Sequence, residues 1–187
     1  MSVSINYSRI EPFNQAFESN ITWEDILDFF NTMQPMIGPE RYSVIGAGIC
    51  NSEINEKLKV LKEMADSWHP GKYIDAMTII HFENKTTKDF IPEEAKPLHE
   101  SFRKATPDKM PNNFDYNLLE PSIHSDPVDG IFFQMIGTVT WRVYYEDGTE
   151  ESHVLVPGDV MVVPKGINHS VESMEPRCSL SVSFADA

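Results

Sequence analysis

The sequence predicts a mainly β protein, an antiparallel sandwich or barrel of short strands preceded by helical segments. Three observations lead there. From about residue 122 onward, β-branched and aromatic runs alternate with turn residues at short, regular spacing. Before that point, apolar residues recur at helical spacing in two places. No linker, internal repeat or low-complexity tract separates the two halves. The 187 residues are therefore expected to form one domain, with 1–120 as a helical and mixed support region and 121–187 as the β core.

Taken in order, Thr22 is placed to cap a helix whose apolar residues Ile26, Phe29, Phe30 and Met33 form one face. Arg41–Ile49 reads as a short β segment. A second helix follows Ser52, with Ile54, Leu58, Leu61 and Trp68 on one stripe. Tyr73–Phe82 reads as a strand. Pro92 suits the first position of a third helix, which carries Leu98 and Phe102 inward. Residues 106–121 hold three prolines and three asparagines and read as irregular connection. Gly130–Tyr145 is a long β stretch, and Asp147-Gly148 supplies a hairpin turn. His153–Val156, Val160–Val163, His169–Val171 and Cys178–Phe184 follow as short strands, broken by Gly- and Pro-containing turns.

Composition narrows the classes. Apolar residues make up 41% and charged residues 24%, an ordinary globular balance. No run approaches the roughly 20 apolar residues of a bilayer-crossing helix, and the first fifteen residues lack the basic flank and apolar stretch of a secretory signal. Two cysteines, Cys50 and Cys178, make no disulfide framework, so a cytoplasmic setting is expected. The formal net charge of −14, with no basic stripe, argues against nucleic acid as a partner. Such a surface either keeps the protein in solution or steers a basic substrate, and charge alone does not choose. The oligomeric state is open, a homodimer included.

His124 and Asp126 stand two apart in Ser122-Ile-His-Ser-Asp-Pro127. On a strand, such residues point to one face and reach one ion together. Two histidines and a carboxylate are the usual ligands of non-haem iron(II) oxygenases, leaving coordination positions open. His169 is the candidate for the second histidine. It ends the segment running from Gly158 through Pro164 and Gly166, which matches the second motif of the cupin superfamily in spacing. The glycines allow tight turns at both ends of a strand, and the proline interrupts pairing where the chain bends. Gly137, thirteen residues after His124, falls where the first cupin motif places its glycine. Most cupins carry a further histidine and a glutamate in that motif, where this chain has Asp126 and Gly130.

His-x-Asp with a distal histidine instead resembles the JmjC-like branch. The stretch from His124 to Tyr144 is similar to the ribosomal-oxygenase type, sharing Gln134, Gly137 and the run Trp141-Arg142-Val143-Tyr144. The resemblance covers about residues 121–184, roughly a third of the chain. It implies a double-stranded β-helix, or cupin jelly roll, with N-terminal helices on its outer face. It also implies iron(II) held by His124, Asp126 and His169, and 2-oxoglutarate as cosubstrate of a hydroxylase acting on a small molecule or a peptide.

This chain departs from that family at one place. The lysine that binds the far carboxylate of 2-oxoglutarate is replaced by Val139, which offers no charge. Arg142 has the wrong strand parity, and Lys165 sits on a turn facing solvent. Arg177 with Ser179 resembles the Arg-x-Ser on the last barrel strand of other 2-oxoglutarate oxygenases; a guanidinium clamps a carboxylate through two parallel hydrogen bonds, with Ser179 offering a third. The competing reading is a surface arginine after Pro176. Two other functions stay open: a metal-dependent cupin enzyme that does not use 2-oxoglutarate (dioxygenase, isomerase or lyase), and a ligand-binding cupin. His153 reads as solvent-facing or a core hydrogen-bonder, His69, His81 and His99 as structural, and Trp141 as lining the interior beside Val139 and Val143.

Overall fold

The computed structural model describes residues 5–25, 36–37, 41–44, 53–69, 71–82, 123–172 and 177–186. Among them lie β1 (Glu11–Phe13), β2 (Met36–Ile37), β3 (Arg41–Val44), α1 (Glu53–Trp68), β4 (Lys72–Phe82), β5 (Asp129–Ile136), β6 (Val139–Tyr144), β7 (Glu150–Leu155), β8 (Val160–Val163), β9 (Asn168–Glu172) and β10 (Arg177–Asp186). The strands make two sheets. One has seven strands in the order β1-β8-β5-β10-β4-β3-β2, the other three in the order β7-β6-β9. Every pairing is antiparallel. The mainly β, antiparallel expectation is met.

Alternation along the strands explains how the layers stack. On β10, Cys178, Leu180, Val182 and Phe184 project to one face and join Leu58, Leu61, Ala65 and Trp68 of α1 in one apolar cluster. Leu58, Leu61 and Trp68 of the expected stripe are buried, Ala65 joins them, and the side chain of Ile54 lies outside the described residues. Ser179, Ser181 and Ser183 take the opposite face of β10, as a period of two requires. The same split divides β8. Val160 and Val162 join the helix-side cluster, while Met161 and Val163 join Val139, Trp141, Val143 and Leu155 in a second cluster between the two sheets. All four residues of β8 are buried, the mark of a strand covered on both faces. Phe132 meets Trp141 edge-on across that second core, with ring centroids 4.9 Å apart.

The long β stretch expected over Gly130–Tyr145 is two strands. The chain turns at Gly137, φ 72°, and leaves the large sheet for the small one. Hydrophobicity is continuous across that break because both strands bury a face in the same inter-sheet core. β1 went unread because Pro12 interrupts it; as an edge strand beside β8 it tolerates proline. The hairpin turn at Asp147-Gly148 forms as expected, with the Tyr145 amide donating to the Thr149 carbonyl at 2.9 Å. Thr22 and Asp25 cap each other reciprocally, the Asp25 amide donating to Thr22 Oγ1 at 3.2 Å and the Thr22 amide to Asp25 Oδ2 at 2.7 Å. Residues 23–25 are helical. Ile26, Phe29, Phe30 and Met33 lie outside the described residues, as do 45–49, the helix expected from Pro92 and the segment 106–121. No helix among the described residues is long and apolar enough to cross a membrane.

The turn between β7 and β8 ties the N-terminal segment to the sheet. Gly158 has φ 102°, and a Cβ there would lie 2.9 Å from the Phe17 carbonyl oxygen. The Phe17 amide in turn donates to the Gly158 carbonyl at 3.2 Å. Gly158→Ala is expected to lower the unfolding free energy by about 1–3 kcal/mol. Gly148→Ala, where a Cβ meets nothing within 4 Å, should cost less. Urea denaturation of the two variants checks this; equal losses would show that the contact with Phe17 contributes nothing.

Candidate metal centre

The centre is assembled by the backbone. His124 forms an isolated antiparallel bridge with His169, each amide donating to the other's carbonyl at 2.9 and 2.8 Å. Asp126 lies past the bridge, in the irregular segment leading into β5, where its carbonyl accepts the Gly166 amide at 2.9 Å. The sequence placed His124 and Asp126 together on a strand. His124 lies instead on a one-residue bridge to His169 of β9, and Asp126 in the irregular segment after it, held by the Gly166 amide. The donor atoms of His124, Asp126 and His169 all lie within 4.8 Å of one another. The two imidazole rings are 4.5 Å apart between centroids.

His169 is fully buried. Its Nδ1–H donates to the Ile167 carbonyl at 2.9 Å, which fixes the tautomer and turns Nε2 toward Asp126 Oδ2 at 3.7 Å. Nε2 is buried and has no hydrogen-bond partner among the described residues. An orphaned ring nitrogen in an apolar core is costly. Trp141 stacks on the His169 ring at 5.1 Å and keeps it in place. Burial pushes the His169 pKa down, with His124 adding to the effect and the Ile167 carbonyl and Asp126 opposing it. The neutral imidazole that results is the form that binds a metal. His124 is exposed and Asp126 half-buried, so the site opens to solvent on their side. The donor set suits iron(II) with positions left for other ligands.

A second carboxylate secures the segment that carries Asp126. Asp129 is buried; its Oδ1 accepts the Lys165 amide at 2.8 Å and its Oδ2 pairs with Lys72 Nζ at 2.8 Å. Burial alone would raise the Asp129 pKa, but the Lys72 ammonium and the Lys165 amide together hold it below the ordinary carboxylate range. The clamp joins the start of β5 to the turn before β9, so it binds the Asp126 segment to the His169 segment. Sequence reading missed it, although an acidic residue three positions after Asp126 in an apolar run was a signal.

The other residues singled out by sequence fall as follows. Arg177 and Ser179 are buried on β10, the arginine Nη1 donating to Ser179 Oγ at 2.9 Å. Arg177 is therefore no surface arginine. Ser179 pairs across the sheet with Gln134, two residues from Phe132 on the same face, so this polar cluster lies on the face of the large sheet that Phe132 turns toward Trp141. Val139 is buried in the apolar cluster with Trp141. Arg142 points outward and lies 3.4 Å from Glu172. The Lys165 side chain is exposed, 3.6 Å from Asp186. His153 is half-buried and lies 3.2 Å from Glu151 Oε2. His69 is buried, its Nδ1 2.9 Å from the Tyr7 hydroxyl. Burial raises the Cys178 thiol to about 12, so it stays protonated. Cys50 and His99 lie outside the described residues, and so does the side chain of His81.

No family model matches the sequence, and no curated protein matches it. Solved structures show a weak likeness. SPY1581, a protein of unknown function from Streptococcus pyogenes, aligns at 15% identity and TM-score 0.37 over 60% of this chain and 65% of its own. Bacillus subtilis oxalate decarboxylase, described with Mn(II) centres, aligns at 16% and 0.43 over 84% of this chain and 29% of its own. Streptomyces albus HEPD, with 2-hydroxyethylphosphonate and Fe(II) bound, aligns at 15% and 0.37 over 64% of this chain and 19% of its own. This chain thus spans less than two thirds of each. At this level of likeness the site rests on His124, Asp126 and His169 themselves.

His124→Ala and His169→Ala should each abolish stoichiometric iron binding in a folded protein, read by elemental analysis, while Asp126→Ala loses less. Wild-type metal content in both histidine variants would refute the assignment. Asp129→Asn keeps an acceptor for the Lys165 amide but loses the ion pair. Because the folded-state pKa of Asp129 is depressed, its stabilisation is present above the unfolded value of about 3.9 and is lost as pH falls through the folded value. The stability gap between wild type and Asp129→Asn should therefore be widest near neutral pH and shrink below about pH 4, measured by denaturation at each pH.

Proposed function

We propose that this protein is a non-haem iron(II) enzyme on a cupin-type double-stranded β-helix, and that it hydroxylates an organic substrate using 2-oxoglutarate. The observation that carries the reading is the buried His169 Nε2, aimed at Asp126 and bridged through the backbone to His124. Such a nitrogen gains a partner when a cation sits between the three side chains. Iron(II) in that position would supply the activation of dioxygen. In balance, 2-oxoglutarate, dioxygen and a C–H bond give succinate, carbon dioxide and the alcohol.

The chain's own residues orient and exclude. The Ile167 carbonyl and the Trp141 ring hold His169 in one tautomer and one plane. Phe132 and Trp141, packed edge to face, keep water from the inner side of the centre. The exposed edge at His124 is where the primary substrate, a small molecule or a peptide, approaches. Arg177 anchors the far carboxylate of 2-oxoglutarate from the inter-sheet face, in place of the lysine that Val139 replaces. The surface charge of −14 disfavours nucleic acid as that substrate.

The burial of Val139 among apolar side chains also favours a second reading, a metal-dependent cupin enzyme that acts without 2-oxoglutarate. Anaerobic titration with iron(II) and then 2-oxoglutarate separates the two, because the chelate absorbs visible light. Arg177→Ala should retain its iron and bind 2-oxoglutarate at least about thirtyfold more weakly, the loss expected when one member of a buried charge pair is truncated. Unchanged affinity would remove Arg177 as the anchor. Absence of the band in the wild type would leave the second reading.

A further inference from the structure

Gln134 belongs to the conspicuous stretch after His124, yet the metal centre gives it no role. It is 1% exposed, and its hydrogen bonds have only one consistent direction. Nε2 donates to the Ile136 carbonyl at 2.8 Å and to the Gly137 carbonyl at 2.9 Å, so both amide hydrogens are committed. Oε1 is left as an acceptor, and Ser179 Oγ lies 2.7 Å from it. A hydroxyl carries one hydrogen. Ser179 donates it to Gln134, and toward Arg177 Nη1, at 2.9 Å, it only accepts. The backbone of Gln134 is pinned as well. Its amide donates to the Asp159 carbonyl at 2.9 Å, and its carbonyl accepts the Gly158 amide at 3.0 Å.

We propose that Gln134 is a positioning residue that sets the guanidinium of Arg177 through Ser179, so that its fork faces the inter-sheet space in one orientation. The inference rests on the reading of Arg177 as a carboxylate anchor. It also changes the part played by Ser179. With its hydrogen given to Gln134, the serine holds the arginine and does not donate to the ligand. Bidentate capture of a carboxylate depends on the plane of the guanidinium, and a long side chain loses that plane unless a neighbour fixes it. The reversal of the chain at Gly137 creates the two carbonyls that orient Gln134. The same turn that hands the chain from one sheet to the other thereby aligns the anion site.

Gln134→Leu and Ser179→Ala are each expected to weaken 2-oxoglutarate binding about tenfold, the effect of one hydrogen bond to a charged group. The double variant should lose no more than either single one, since both break the same relay. Ser179→Thr keeps the hydroxyl and should bind as wild type does. Iron content should be unchanged in all of them. A second readout does not need the ligand: the Arg177 side-chain N–H signal in nitrogen–proton NMR spectra, assigned by its absence in Arg177→Lys, should broaden or shift in Gln134→Leu. If Gln134→Leu does not fold, Gln134→Met takes its place, and the Ser179→Ala and Ser179→Thr pair reads the same relay. An unchanged Arg177 signal in folded Gln134→Leu, or additive losses in the double variant, would overturn the proposal. A wild type that binds no 2-oxoglutarate would instead sink the carboxylate reading, while the NMR signal still decides whether Gln134 sets Arg177.

Discussion

Everything at the centre depends on two backbone hydrogen bonds, those joining His124 and His169. Forty-four residues lie between the two histidines, and neither lies in the middle of a long strand pairing that would bring them together by itself. β9 pairs with β6 in the small sheet, while the segment at His124 leads into β5 of the large one. The bridge is where the two sheets are joined at the ligand end. Its neighbours reinforce it, with the Gly166 amide on the Asp126 carbonyl and the Lys165 amide on the Asp129 carboxylate. The relative placement of His124, Asp126 and His169 is thus set by main-chain groups and one buried carboxylate.

The space between the sheets has a mixed character that follows from strand parity. The small sheet lines it with Val139, Trp141 and Val143, and the large sheet lines it with Phe132 beside Gln134, Ser179 and Ser181. An arginine, a serine and a glutamine buried together are expensive unless each hydrogen bond is made. The relay from Arg177 Nη1 through Ser179 to Gln134 makes part of them, and its last acceptors are the carbonyls of Ile136 and Gly137.

Charge is arranged at the other end of the same strands. Lys72 at the start of β4 meets Asp129 at the start of β5 and Asp186 at the end of β10. These three strands are neighbours in the large sheet, so one ammonium fastens three strand ends beside the ligand loop. The His69 ring packs against Phe184 at 4.3 Å, and its Nδ1 meets the hydroxyl of Tyr7, which brings the N-terminal segment to the same corner. These contacts therefore gather at the strand ends next to the segment that carries Asp126.

The sequence by itself determined the strand-rich second half, the stripe on α1, the Asp147-Gly148 hairpin and the three ligand candidates. These are legible because each rests on local chemistry: a period of 3.6 or 2, a turn that needs glycine, and donor types at a spacing. Arg177 was singled out only through the resemblance of Arg177-Cys-Ser179 to a family motif, with a surface arginine as the competing reading. What only the tertiary structure decided are the features that pair residues far apart in the chain. The break at Gly137 is hidden by unbroken hydrophobicity on both sides of it, and β1 by its proline and its three-residue length. The burial of Arg177, the direction of the hydrogen bond from Ser179 to Gln134, and the Asp129–Lys72 clamp all depend on which strands lie side by side. Register between strands is a long-range property, and no local pattern encodes it.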